Sequence, residues 1–354
     1  MVGVPVVLGV RRSAPVPVPG APDAGAALVD GYGRVHRDLR ISLTDRCSLR
    51  CTYCMPEQGN EWLARSSILT TDEIVRVAEV AAAAGITTFR LTGGEPLLRA
   101  DIADVVSRLA RITGPGGPVQ VAMTTNGIRL PDLLPGLIAA GLARLNISID
   151  TLDRDRFHRL TRRDRLDEVR AGIAAAAASG LRPLKLNAVA MRGINDDELC
   201  DLVDYAVTHD AELRFIEQMP LDAGHTWDRD AMVTREEILA TLAGRWDLTP
   251  VPGRHGAPAE RFLLDGGPAT VGVIASVTAP FCGDCDRLRL TADGQLRNCL
   301  FSTSEYDLLP TLRGTDSRTV DAVLRACVRG KLPGHAINDP SFLQPARGMN
   351  AIGG

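Results

Sequence analysis

The chain has 354 residues, of which 45% are hydrophobic and 23% charged, and a formal net charge of −3. Disorder throughout is excluded, because there is ample apolar material for a core, and the slightly acidic balance excludes a general nucleic-acid footprint while leaving room for a local basic pocket. No run reaches the ~18 uninterrupted apolar residues of a membrane span, and at ~150 residues per domain the length fits two domains or one barrel with an extension.

The first ten residues are apolar, but the nearest charges, Arg11 and Arg12, follow that run. A secretory signal carries its positive charge ahead of it. Residues 11–30 alternate Pro, Val, Ala and Gly, so residues 1–34 read as a flexible leader. A cytoplasmic protein with reduced thiols is expected. Eight cysteines in that setting point to metal or redox chemistry rather than disulfides. Of the 40 basic residues only Lys185 and Lys331 are lysines, a bias that reflects codon usage and carries little functional weight.

From residue 38 onward a short β-rich run alternates with an amphipathic or Ala-rich stretch. Strands are predicted at residues 39–44, 88–92, 119–125, 144–150, 184–191 and 213–219. Helices are predicted at residues 72–84, 101–112, 132–140, 167–179 and 196–209. Thr70 and Thr71 can cap the first, and Gly85, Gly141 and Gly180 end three of them. Six β–α units in succession imply an α/β fold with parallel strands and helices outside. Six units are too few for an eight-unit barrel, so a partial (β/α)6 TIM-like barrel is expected, with its chemistry on the loops after the strands' C-terminal ends. The pattern breaks past Met219, where prolines and glycines surround one helix near residues 234–243. The barrel is therefore assigned to residues 35–219 and an α+β C-terminal domain to residues 220–354.

Cys47, Cys51 and Cys54 stand as C-x3-C-x2-C directly after the first strand. Three thiolates so close on one loop can wrap one metal centre. An iron–sulfur cube takes four ligands, so with three here one iron is left to hold a small molecule. Zinc with a distant fourth ligand and three unrelated thiols remain open on the residues alone, although zinc ligands typically come as paired knuckles. Tyr53 can flank a bound adenine or simply pack. A second triplet, Cys282, Cys285 and Cys299, reads C-x2-C-x13-C. Its spacing alone suits structural zinc, with Cys327 or His335 as fourth ligand. Against zinc, Arg287 and Arg289 alternate just after Cys285, which on a strand puts both guanidiniums on one face and fits an anionic ligand.

Residues 39–56, LRISLTDRCSLRCTYCMP, resemble the signature of the radical S-adenosylmethionine (SAM) enzymes and, more narrowly, of the GTP 3′,8-cyclase family. Residues 280–301, PFCGDCDRLRLTADGQLRNCLF, are similar to that family's second cluster region, and the resemblance covers roughly residues 35 to 354. It implies two 4Fe-4S clusters. Cys47, Cys51 and Cys54 hold one, whose open iron binds SAM. Cys282, Cys285 and Cys299 hold the other, whose open iron binds the purine of GTP. It implies SAM contacts at Tyr53, Gly94, Ser148 and Met219, and GTP contacts at Arg40, Arg90, Thr124, Lys185, Arg287, Leu288 and Arg289. Glu95, beside Gly94 in a Thr-Gly-Gly-Glu-Pro run, offers a carboxylate to an amine. Arg214 is expected near SAM or the triphosphate, and the terminal Gly353 and Gly354 reach into the active site, where slim backbone suits a crowded pocket. Many relatives carry a basic residue where this chain has Thr88, so one phosphate contact is missing or supplied elsewhere.

The implied reaction is radical cyclisation of GTP. The 5′-deoxyadenosyl radical takes the ribose 3′ hydrogen and the C3′ radical adds to C8, giving 3′,8-cyclo-7,8-dihydro-GTP in the first step of molybdenum cofactor biosynthesis. An electron donor, a homodimer and the downstream cyclic pyranopterin monophosphate synthase are the implied partners. Two rivals stand beside this reading: a peptide-modifying radical SAM enzyme with an auxiliary cluster, and a non-enzymatic metal-binding protein. Cys200 and Cys327 match neither triplet and read as buried structural thiols.

Overall fold

The computed structural model describes residues 27–58, 61–222, 226–254, 256–339 and 342–353. Residues 1–26 of the leader expected at 1–34 lie outside the described residues, and its last part is not a free leader, because Leu28, Asp30 and Arg34 are buried. In chain order its elements begin with β1 (Asp38–Ser42), α1 (Thr71–Ala83), β2 (Thr88–Thr92), α2 (Ile102–Ala110), β3 (Thr113–Gly114), β4 (Gly117–Pro118), β5 (Gln120–Thr125), α3 (Leu130–Ala139) and β6 (Leu142–Ser148). They continue with α4 (Arg154–Thr161), α5 (Leu166–Ala178), β7 (Leu184–Ala190), α6 (Leu199–Thr208), β8 (Ala211–Glu217), α7 (Arg235–Ala243), β9 (Leu248–Val251), β10 (Glu260–Leu264) and β11 (Thr270–Ile274). The last are β12 (Arg287–Leu290), β13 (Gln295–Arg297), β14 (Tyr306–Asp307), α8 (Leu309–Leu312), α9 (Val320–Arg329) and α10 (Met349–Ile352).

Twelve strands make one sheet in the order β14-β13-β12-β1-β2-β5-β6-β7-β8-β11-β10-β9. The eight neighbours from β12 to β11 run parallel, and the strands beyond them at each edge are antiparallel. Alternation decides which side chains face where. Leu39 and Ile41 on β1 and Phe89 and Leu91 on β2 are 0% exposed and join the core under the helices. Arg40 and Arg90, one position out of phase, face the opposite side of the sheet and line its cavity. The helices are positioned by local signals as well as by burial. Thr70 caps α1 in a reciprocal box with Glu73, and Thr234 does the same for α7 with Glu237.

Six β–α units build the barrel wall as expected, but the sheet does not stop at residue 219. β11 pairs with β8 on one side, and β12 pairs with β1 on the other. An open six-stranded parallel sheet leaves two unpaired edges, and the C-terminal third of the chain satisfies both. α4 has no counterpart among the predicted helices, because its sequence RDRFHRLT is polar and buries only Phe157, Leu160 and Thr161. Cys327 is fully buried in the core, whereas Cys200 on α6 is only partly buried. Among the described residues no helix is long and apolar enough to cross a membrane.

Gly272 on β11 stands beside Arg214 on β8. A Cβ there would lie 3.1 Å from Arg214 Cγ and 3.2 Å from Ala259 Cβ. Gly272→Val is therefore expected to cost about 1–3 kcal/mol by overpacking, read as a lower urea midpoint with an unchanged slope.

Candidate functional site

Arg289, Arg40, Arg90, Ala122 and Arg144 occupy one register row across β12, β1, β2, β5 and β6. A register shift between Val121 and Ala122 brings Arg144 opposite Ala122. The small Ala122 leaves open space between the guanidiniums. These four arginines line a cavity of about 520 Å³ together with Arg37, Lys185, Arg214 and Arg287. Its carboxylates are Asp38, Asp150, Glu217 and Asp286. Two of these already serve protein donors. Asp150 accepts from the Tyr53 hydroxyl at 2.7 Å and the Val189 N–H at 2.9 Å, and Glu217 accepts from the backbone N–H groups of Arg235, Val277 and Thr278 at 2.8–2.9 Å.

The excess of cations is visible in their protonation and in their unmet hydrogen bonds. Burial and the neighbouring Arg289 and Arg287 hold Arg40 well below its ordinary value, and burial with Arg287 lowers Arg289 to about 10. Burial and Arg214 bring Lys185 down to about 8. Arg40 Nε, Arg90 Nη1, Arg144 Nε and Arg287 Nε are buried without a hydrogen-bond partner. Unsatisfied buried donors on like-charged groups are costly unless a ligand meets them. The chamber is built for an anion of several charges, large enough to touch many strands at once.

The loop after β1 carries Cys47, Cys51 and Cys54 as free thiols. Arg50 and Thr52 donate their backbone N–H groups to Thr161 and Leu160, tying this loop to the end of α4. Cys47 Sγ receives the Leu49 N–H at 3.4 Å and Asn126 Nδ2 at 3.9 Å. Burial, with Glu95 adding to it, pushes Cys47 up to about 11, and burial with the neighbouring Cys47 pushes Cys54 up to about 12. Neutral donors on the sulfurs, nearby carboxylates and one cation, Arg50, make up the local environment of this triplet.

The second triplet differs. Cys282, Cys285 and Cys299 all line the cavity. Arg287 Nη2 donates to Cys285 Sγ at 3.3 Å and Lys331 Nζ reaches the same sulfur at 3.6 Å. Burial raises the Cys285 thiol, yet Arg287 and Lys331 bring it down to about 6. The zinc alternatives find no support in the geometry. His335 has one ring nitrogen on the Ser276 carbonyl at 2.9 Å and the other on the Ile337 N–H at 3.2 Å. Cys327 donates no ligand to the chamber and lies in the core. Among the described residues no three His, Cys, Asp or Glu side chains are gathered closely enough to hold a metal ion, the two triplets included. The donor chemistry of each triplet, three free thiols, is what an iron–sulfur cube with one open iron would take.

Thirteen of the sequence-derived site residues line this one chamber: Arg40, Tyr53, Arg90, Thr124, Ser148, Lys185, Arg214, Met219, Cys282, Cys285, Arg287, Arg289 and Cys299. Met219 lies two residues past the end of β8, not within it. Cys47, Cys51 and Cys54 are not among the residues that line the chamber. Gly94 bonds its N–H to the Thr44 carbonyl at 2.7 Å. Leu288 is 0% exposed and packs into the core, because strand alternation turns it away from Arg287 and Arg289; only its backbone is left to meet a ligand. Glu95 does not offer its carboxylate outward. Its oxygens accept from the Leu97 N–H at 3.0 Å, the Thr125 hydroxyl at 2.7 Å and the Asn126 N–H at 2.8 Å, joining the loops after β2 and β5. Gly353 is buried with its carbonyl on Arg289 Nη1. Gly354 lies outside the described residues.

Arg37, Arg144, Asp150 and Lys331 were not singled out from the sequence. A signal for Arg144 was present: Arg144, Asn146, Ser148 and Asp150 alternate with the buried Leu145, Ile147 and Ile149. Arg144 Nη2 hydrogen-bonds the Thr88 hydroxyl at 3.2 Å, so a guanidinium from β6 stands over the uncharged position on β2.

Residues 41–206 match the radical SAM superfamily, and residues 211–337 match the family described as Molybdenum Cofactor Synthesis C. A GTP 3′,8-cyclase of Streptomyces coelicolor is 54% identical over 92% of this chain and 96% of its own. A GTP 3′,8-cyclase of Rhodococcus opacus is 49% identical over 99% of this chain and 98% of its own. Among solved structures, Streptococcus suis SuiB bound to S-adenosylmethionine superposes with a TM-score of 0.58 at 14% identity, covering 90% of this chain and 78% of its own. At that identity the likeness speaks for the fold.

Lys185, with its charge lost above about pH 8, gives the chamber a pH-dependent cation. Below that pH the ammonium faces a bound anion; as pH rises through it the attraction disappears. Affinity for inorganic tripolyphosphate, measured by calorimetry, is expected to fall between about pH 7 and pH 9. Lys185→Met should bind more weakly and lose that pH limb. A wild-type affinity flat over the same interval is the contrary result.

Proposed function

The chain belongs to the GTP 3′,8-cyclase family, and from that premise we propose how its own side chains divide the work of the reaction. It is a radical SAM enzyme that cyclises GTP to (8S)-3′,8-cyclo-7,8-dihydroguanosine 5′-triphosphate, the first step of molybdenum cofactor biosynthesis. A 4Fe-4S cluster and SAM belong to that chemistry. When bound, they supply a carbon-centred radical strong enough to take hydrogen from a ribose.

In our reading Cys47, Cys51 and Cys54 hold the cluster that meets SAM, and Tyr53, Gly94, Ser148 and Met219 orient SAM beside it. Cys282, Cys285 and Cys299 hold a second cluster that meets the purine. Arg40, Arg90, Arg287 and Arg289, with Lys185 and Thr124, take the triphosphate and ribose. Arg214 is held by Glu212 through Nε at 2.6 Å, so its remaining donors extend a fixed cation toward the reacting end. Arg144 supplies the phosphate contact that Thr88 cannot. The observation that carries this reading is the single chamber in which Tyr53, the row of underbonded guanidiniums and all three cysteines of the second triplet meet. Holding both partners in that chamber fixes the reacting atoms in distance and orientation, and the enclosing wall keeps water from a reactive radical. No conventional acid–base pair is required, since the cofactors carry the difficult chemistry.

The reading extends to the chain's surroundings. A reducing cytoplasm suits eight free cysteines, and the product passes to cyclic pyranopterin monophosphate synthase. A separate donor delivers the electron, and residues 220–354 act as the module that carries the second cluster.

Anaerobically reconstituted enzyme, incubated with GTP, SAM and a reductant, is expected to yield 5′-deoxyadenosine and a product isomeric with GTP but chromatographically distinct. Serine at Cys282, Cys285 or Cys299 should abolish that product and largely spare SAM binding. Equal loss of SAM binding would count against separate roles for the two triplets. Arg144→Ala should weaken GTP binding about tenfold, the loss of one charge-assisted contact; an unchanged dissociation constant would return the Thr88 position to an unfilled contact.

A further inference from the structure

Lys331 is the second of the chain's two lysines, and its side chain has no place in the machinery described above. It is 4% exposed and follows the last turn of α9. Among the described residues no carboxylate lies within ion-pair distance of its ammonium, whose partners are the Arg287 carbonyl at 2.8 Å and Cys285 Sγ at 3.6 Å. A buried ammonium without a carboxylate is an expensive arrangement unless another negative group faces it. The group that faces it is a cysteine sulfur.

Its position is fixed from both sides. The Lys331 N–H bonds the Val328 carbonyl at 3.0 Å. The guanidinium of Arg34 then bonds the carbonyls of Leu332 at 2.7 Å, Pro333 at 3.3 Å and Cys282 at 2.7 Å. Arg34 is itself held by the buried Asp30 at 2.6 Å. This clamp ties the backbone that carries Lys331 to the backbone that carries Cys282, and the ammonium itself is held on the Arg287 carbonyl. Lys331 also differs from Arg287, the other cation on Cys285. Arg287 lines the chamber, whereas Lys331 lies behind the sulfur and does not. Its charge acts on the thiolate, not on a chamber ligand.

At the first triplet no lysine or arginine hydrogen-bonds a sulfur among the described residues: Cys47 Sγ accepts from the Leu49 N–H and the Asn126 amide, and Arg50 reaches the Cys47 carbonyl at 2.7 Å rather than its sulfur.

We propose that Lys331 is a positioning residue for the second cluster: a fixed positive charge on the Cys285 sulfur that stabilises the more negative, reduced state and raises the reduction potential of this cluster. Charge and hydrogen bonds to the sulfurs are established levers on such potentials. The proposal rests on the reading that Cys282, Cys285 and Cys299 hold a 4Fe-4S cluster.

The test uses the full-length, anaerobically reconstituted protein as wild type, Lys331→Met and Lys331→Arg. Iron and sulfide are counted, and dithionite titrations are followed by electron paramagnetic resonance. The signal lost in Cys299→Ser marks the second cluster. Lys331→Met should make reduction of that cluster about tenfold less favourable, a midpoint lower by about 59 mV for one electron. The other signal should stay in place, and Lys331→Arg should restore most of the shift. Loss of the second cluster in Lys331→Met but not in Lys331→Arg also supports a charge acting on the sulfur. A midpoint unchanged in Lys331→Met, an equal shift of both signals, or Lys331→Arg behaving like Lys331→Met overturns the proposal. Wild-type protein with only about four irons overturns the two-cluster reading itself, a result distinct from about eight irons with an unmoved potential.

Discussion

Four guanidiniums in one row, from Arg289 through Arg40 and Arg90 to Arg144, are the constraint on which the rest of the site depends. Like charges placed side by side in a partly desolvated pocket repel, and the helices and core beneath the sheet must hold them there. Neighbouring carboxylates do not neutralise them fully, since Asp150 and Glu217 are occupied by protein donors. The repulsion is relieved at once by a single polyanion. A triphosphate therefore gains from every strand it touches. An apolar core cannot supply this specificity. It can only hold the strands in register, which Leu39, Ile41, Phe89 and Leu91 do from the opposite face.

The two cysteine triplets show how the same ligand type is given different surroundings. The first lies on a loop anchored by backbone bonds to the end of α4, with Glu95, Asp150 and Arg50 as charged neighbours. The second sits where β12 leaves the barrel edge, so the inward alternation of Arg287 and Arg289 places cations directly beside the sulfurs. One consequence is that the strand completing the barrel wall also determines the electrostatics at its own cysteines. The fold and the tuning of the site come from the same pairing of β12 with β1.

The six β–α units and both cysteine triplets were legible in the sequence because they rest on local signals: alternation, caps, glycine stops and close spacing; most of the thirteen expected chamber-lining residues came instead from the resemblance carried by residues 39–56 and 280–301. What was not legible depended on distance along the chain. Pairing of β11 with β8 and β12 with β1 joins segments far apart in sequence, and no periodicity announces it. Arg144 carried the right alternation, but its value appears only when the register shift at Ala122 sets it opposite Arg90's neighbour. Glu95 misled for a related reason. A carboxylate after two glycines looks available, whereas the turn folds it back onto Thr125 and Asn126. α4 was hidden by its own polarity, being held by the Asp153 cap and two apolar contacts rather than by an apolar stripe.

The C-terminal segment shows how orientation can be provided without neutralisation. Asn350 Nδ2 bonds the Asp45 carbonyl at 3.1 Å, docking α10 against the loop of the first triplet. Gly353 follows with φ +85°, a backbone state that suits glycine. A Cβ there would lie 3.1 Å from both Ser42 Cβ and Thr92 Cγ2, so the chain end passes closely over the ends of β1 and β2. Its carbonyl then accepts from Arg289. A carbonyl carries a dipole but no net charge, so Arg289 is oriented while its full positive charge remains for an incoming anion. Arg214, paired with the carboxylate of Glu212, is oriented at the expense of that charge. Of the two, Arg289 is the stronger electrostatic anchor, and the tail that aims it also touches the first cysteine loop. The same short stretch of slim backbone thus touches both Arg289 and the loop of the first cysteine triplet.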